Sequence, residues 1–198
     1  MKNIFNFSFF TILFAALILP VSAQQTQKLP SGNTNSVEKG VLTKYEAAKN
    51  ETSIYIYPYL QIYESERNFL TSETLTMTAG FSHTGKDTIS KPSSVELGFI
   101  STVKTRWRFA DERERKLTIV VDDERFELGT LNRIKTKTVP MINQQNLRYI
   151  ENLAVFVPFE TFQKMAGAKK VVVKIGSYEI KLRKEHLEVL RELLSRTN

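Results

Sequence analysis

The side chains able to do chemistry in this chain are few and scattered. There are two histidines and no cysteine, so thiol nucleophiles, thiolate metal sites and disulfides are excluded at once. His83 lies in Gly80-Phe81-Ser82-His83-Thr84-Gly85, which lacks the G-x-S-x-G spacing that lifts a serine onto a strand-to-helix elbow. That segment reads as a strand end running into a turn. His186 sits beside Glu185 among leucines and lysines, a position that an amphipathic helix accounts for without a ligand role. The acids group at Asp111-Glu112 and at Asp122-Asp123-Glu124. Neighbours along a strand point to opposite faces, and neither group has the alternating acids, glycine and distal Glu of a calcium loop, so both read as solvated turns. Phosphate-cradling glycine loops of the GxGxxG and Walker kinds are absent. The balance favours a chain that binds rather than catalyses, with no cofactor expected. A hydrolase whose carboxylates meet only in three dimensions stays as an alternative.

Two patches are candidates for a binding surface. Tyr55, Tyr57 and Tyr59 alternate with Ile54, Ile56, Pro58 and Leu60, which places three phenols along one face of a strand, where they can stack on a ligand or pack on cross-strand neighbours. Lys104, Arg106 and Arg108 alternate with Val103, Thr105, Trp107 and Phe109. Period-two parity sends the aromatic residues to the core and the three cations to the outer face as a basic stripe.

These side chains must be positioned by strands. Leu75, Met77, Ala79 and Phe81 oppose Thr74, Thr76 and Thr78; Val95, Leu97 and Phe99 oppose Ser94, Glu96 and Gly98. The same parity runs on to Phe109, too far for one ordinary strand, so a bend is expected near Ser101. Pro58 cannot donate a ladder hydrogen bond, so the strand from Ile54 to Tyr63 is expected at a sheet edge. Two hairpins follow one grammar. Leu117, Ile119 and Val121 precede an acidic turn and Phe126 and Leu128 follow it; Val171, Val173 and Ile175 precede Gly176-Ser177, a type II′ signal, and Tyr178, Ile180 and Leu182 follow. A strand carrying Leu153, Val155 and Val157 leads through Pro158 into a short helix near 158–166, where Phe159, Phe162 and Met165 return at helical spacing until Gly167. Leu187, Leu190 and Leu194 predict a C-terminal helix near 184–196. The fold class expected is mainly β, an antiparallel sandwich-like domain with two short helices.

At the other end, Lys2 precedes an apolar run from Phe9 to Leu19, followed by Val21-Ser22-Ala23 and Gln24-Gln25. This is the pattern of a secretory signal peptide over 1–23, cut between Ala23 and Gln24; the apolar run is short for a bilayer span. Residues 24–50, rich in Gln, Ser, Asn, Thr and Lys, read as a flexible polar spacer, leaving 51–198 as a single β-rich domain. The expectation is an exported chain, periplasmic or extracellular, with no transmembrane anchor after cleavage. The net charge of +7 is modest, and its cations concentrate in the C-terminal third. It bears on solubility and association more than on a partner, and nucleic acid is not expected. The function class that fits is a binding or scaffold module for a protein partner in the cell envelope. The alternative partner is an anionic envelope component, a surface polymer or lipid headgroup, met by a basic face.

Overall fold

The computed structural model describes residues 34–38, 40–65, 73–86, 91–104, 106–140 and 147–197. The expected signal peptide lies outside these residues, as does the part of the spacer before Thr34. Among these residues, twelve strands and two α-helices follow in the order β1 (Thr34–Glu38), β2 (Val41–Glu46), β3 (Glu51–Ile56), β4 (Leu60–Glu64), β5 (Thr74–Thr84), β6 (Ser94–Val103), β7 (Lys116–Val121), β8 (Glu124–Thr130), β9 (Asn132–Pro140), β10 (Leu147–Pro158), α1 (Phe159–Gly167), β11 (Val171–Ile175), β12 (Tyr178–Lys181) and α2 (Lys184–Ser195). All pairings are antiparallel.

The chain is mainly β and forms two sheets. The larger runs β1-β2-β3-β5-β6-β10-β9 with β4 also on β5, and the smaller runs β12-β11-β7-β8. Period-two alternation explains their joint core. Leu75, Met77, Ala79 and Phe81 of β5, Val95, Leu97 and Phe99 of β6, and Leu153, Val155 and Val157 of β10 share one buried cluster with Leu117, Ile119 and Val121 of β7 and Val171, Val173 and Ile175 of β11. The helices complete it: α1 contributes Phe159, Phe162, Met165 and Ala166, and α2 contributes Leu187, Leu190 and Leu193. Helix α2 packs on α1 and on β2, β3 and β5. No helix among the described residues is long and apolar enough to cross a membrane.

Both predicted hairpins form, and they pair with each other through β7 and β11. Gly176 has φ +54° and Ser177 is not in the positive-φ region, as a type II′ turn requires. At the other tip, Asp122 takes φ +52°, a conformation that Asp tolerates better than most residues.

Three expectations are corrected. The spacer does not extend to residue 50, because Thr34–Glu38 and Val41–Glu46 are strands of the large sheet; their polar composition hid Val41 and Leu42, which β3 buries. The Ile54–Tyr63 segment is not one edge strand. Its first part, β3, pairs with β2 and β5, and only β4 is one-sided. Pro58 is accommodated by breaking the strand: Tyr55 pairs with Gly80 and Leu60 with Met77, so residues 57–59 bulge out of the ladder, with a cis Tyr57–Pro58 bond. The bend expected near Ser101 falls later. Strand β6 runs unbroken to Val103, paired at Ser101 with Glu151, and the irregular stretch that follows carries the chain to the small sheet.

Candidate functional site

The registers align Leu42 on β2, Tyr55 on β3, Gly80 on β5, Glu96 on β6 and Phe156 on β10 as directly opposed neighbours. Opposed residues share a face, and alternation turns this row away from the shared core that Ile54, Ala79, Phe81, Val95, Leu97, Val155 and Val157 enter. Five strands at about 4.8 Å spacing make the row roughly 19 Å long. Its next rank holds Thr78, Gly98 and Ala154. The middle of this face is therefore low and small-residued, with rings to either side.

Gly80 is required there. A Cβ at that position would lie 2.7 Å from Tyr55 Cβ and 2.9 Å from the Ile54 carbonyl oxygen, so only glycine lets β3 and β5 approach this closely. Between the rings lies Glu96, 5 % exposed. No described residue gives it a hydrogen bond or an ion pair, and burial alone pushes its carboxyl up to about 8. A buried carboxyl without a partner is costly for a fold to keep. Phe156, beside it on β10, is 58 % exposed.

The three sequence-predicted tyrosines are brought together, although not by the simple alternation expected. Tyr55 is buried, Tyr57 is 37 % exposed and Tyr59 is half-buried. Burial raises the phenols of Tyr55 and Tyr59 to about 12, and the proximity of Tyr57 adds to both. They form a cluster at the Tyr55 end of the row.

The basic trio is not assembled into a stripe. Lys104, Arg106 and Arg108 follow the last residue of β6, in irregular chain where period-two parity has no force. Arg106 is exposed, whereas Arg108 turns inward: its guanidinium lies 4.7 Å from the Tyr178 ring centre and donates to Ser177 Oγ at 2.7 Å. Trp107 is half-buried rather than core, edge-on to Tyr149 at 4.9 Å, while Phe109 is fully buried.

What fixes this stretch is Glu151, a residue that pattern reading passed over. It is fully buried on β10. Its Oε2 accepts the backbone N–H groups of Arg108 at 2.6 Å and Phe109 at 2.9 Å. Its Oε1 lies 3.3 Å from Arg133 Nη2, close enough for an ion pair but not aligned as a hydrogen bond. The available signal was an acid, next to Asn152, leading into the apolar run from Leu153 to Val157. Glu151 is thus a structural clamp, whereas Glu96 has no such partner among the described residues.

Several of the other ionisable groups have partners within the fold. Asp122 Oδ1 accepts the N–H groups of Lys169 and Lys170, and Asp111 Oδ1 accepts that of Arg113. His83 is buried, with Nδ1 3.2 Å from the Thr84 carbonyl oxygen. His186 is buried at the start of α2, where its Nδ1 accepts the Arg183 N–H; burial first, and then the Arg183 charge, hold its pKa down. Among the described residues no group of three or more His, Asp or Glu is placed to hold a metal ion. Comparison with protein-family models, with curated proteins and with solved structures finds no match to this chain.

Proposed function

We propose that this chain is an exported, non-enzymatic binding or scaffold module that engages a protein partner in the cell envelope through the outer face of its large sheet. The observation that carries the reading is the row Tyr55–Gly80–Glu96–Phe156, which joins an exposed ring to a buried carboxyl with no partner among the described residues. A side chain that costs stability without serving the fold is the kind retained for binding. The partner's contact chemistry follows: apolar groups to cover Phe156 and Tyr57, and a hydrogen-bond donor directed at Glu96. The N-terminal Lys2, the apolar run and Val21-Ser22-Ala23 support export, with cleavage between Ala23 and Gln24.

The test is site-directed. A photo-cross-linking side chain at Phe156 is expected to yield a discrete protein adduct in cells, lost when Glu96→Ala and Tyr57→Ser are added to a chain that still folds. A ladder of unrelated adducts, unchanged by those substitutions, would count against a specific docking face.

A further inference from the structure

The outer face of the large sheet holds a second buried polar group besides Glu96. Asn152 of β10 is 4 % exposed, and its Oδ1 has no hydrogen-bond partner among the described residues. The registers place it on that face, opposed to Ile100 on β6 and to Lys135 on β9. It lies two ranks from the Glu96–Phe156 pair, with only Gly98 and Ala154 between. Lys137, opposed to Ile150, is the next cation of β9 on the same face. Lys135 and Lys137 are exposed, and neither has a partner among the described residues. The face thus carries a buried acid without a partner on one side and two ammonium groups without partners on the other.

These groups cannot satisfy one another within one chain. Glu96 and Lys135 are two strands and two ranks apart, about 17 Å, which a lysine stem does not span. They are, however, symmetric about Ala154, which stands midway in both directions. A two-fold axis lying in the interface at Ala154, at right angles to the Glu96–Lys135 line, sets Glu96 of one copy against Lys135 of the other and the reverse at once, the isologous arrangement of a cyclic dimer. Asn152 travels with Lys135, so one ammonium can donate to the opposing Glu96 and to the Asn152 Oδ1 beside it. The same operation lays the Phe156 ring against the aliphatic stem of the other Lys135. Gly98 and Ala154 keep the middle low, so that two sheets can stack at the usual separation of about 10 Å. Edge-to-edge assembly is opposed by the same cations: antiparallel pairing of two β9 strands about Thr136 would put Lys135 opposite Lys137, and like charges directly opposed destabilise a ladder.

We infer that the outer face binds a second copy of this chain, each copy supplying Lys135 and Lys137 to the Glu96 side of the other. This rests on the reading of that face as the binding surface and names its partner.

The experiment is sedimentation equilibrium of the chain purified after export. Twice the chain mass is expected at micromolar concentration. Lys135→Glu/Lys137→Glu, on the exposed β9, should raise the dimer dissociation constant at least tenfold, and so should Glu96→Lys where that variant folds. Mixing these two variants should restore association, because each then offers the charge the other lacks. A photo-cross-linker at Phe156 should give an adduct of two identical chains joined to β9. A dimer indifferent to the β9 charges would overturn the inference. A monomer whose Phe156 cross-links to one different protein would also overturn it, while leaving the outer face as the binding surface; a monomer with no discrete adduct would overturn both.

Discussion

Glu96 and Glu151 are both buried carboxyls, and their surroundings give them opposite duties. Glu151 accepts two backbone N–H groups and faces Arg133, so removing it strands buried donors and a guanidinium. Glu151→Ala is expected to destabilise by roughly 3 to 5 kcal/mol, measured by urea unfolding; Glu151→Gln should lose less, since an amide oxygen still accepts from the chain. Glu96 behaves in the reverse sense. Its pKa is raised by burial from the ordinary 4.5 to about 8, so the folded state holds a proton that the unfolded state releases. Its contribution is therefore fully present below pH 4.5 and is lost as pH rises through 8. At about 1.4 kcal/mol for each tenfold change in proton affinity, that loss is on the order of 2 to 5 kcal/mol. Glu96→Gln should flatten this part of the stability profile, making the variant more stable than the parent at pH 9 and close to it at pH 5. A profile still falling in the variant would assign the slope to another group.

At the scale of elements, the hairpins and helices were legible because each carries its own punctuation: Gly176-Ser177, Asp122-Asp123, and Pro158 before Phe159. Pairing was less legible. Strand β9 escaped detection because nearly all its residues are exposed and its order comes from β10 alone. Strands β1 and β2 were hidden by polar composition, and β3 became central because Pro58 breaks its strand instead of displacing it to an edge. The stretch after β6 shows where parity stops: Phe109 is fully buried and Trp107 only half-buried. Phe109→Ala should therefore cost about 3 to 5 kcal/mol, and Trp107→Ala less, about 1 to 2 kcal/mol, for the lost edge-on contact with Tyr149 and the Arg133 guanidinium over its ring. Thermal unfolding of the two variants side by side tests this, and equal losses would mean that the Trp107 ring is as integral as Phe109. Gly80→Ala should also destabilise, because the obstructing atoms include the backbone oxygen of Ile54.

For the whole molecule, the sequence carried the two-layer, mainly β character but not the division of strands between layers. The chain enters the small sheet at β7, returns to the large one at β9 and crosses again at β11, an order set by long-range pairing that local periodicity does not encode. The candidate site has the same history. Three tyrosines were visible as a pattern, whereas Glu96 and Phe156 gain meaning only when the registers of β5, β6 and β10 set them beside Gly80 and Tyr55. The Lys104–Arg106–Arg108 stripe does not form, because these residues follow the end of β6, where no strand sets their parity. The most direct measurement of the central claim is the affinity of the cross-linked partner, once purified, for the parent chain and for Phe156→Ser, by calorimetry. A loss of at least tenfold, with the melting temperature of the variant within about 2 °C of the parent, is the predicted result for a ring that is 58 % exposed. Unchanged affinity would contradict the assignment of the outer face of the large sheet as the binding surface.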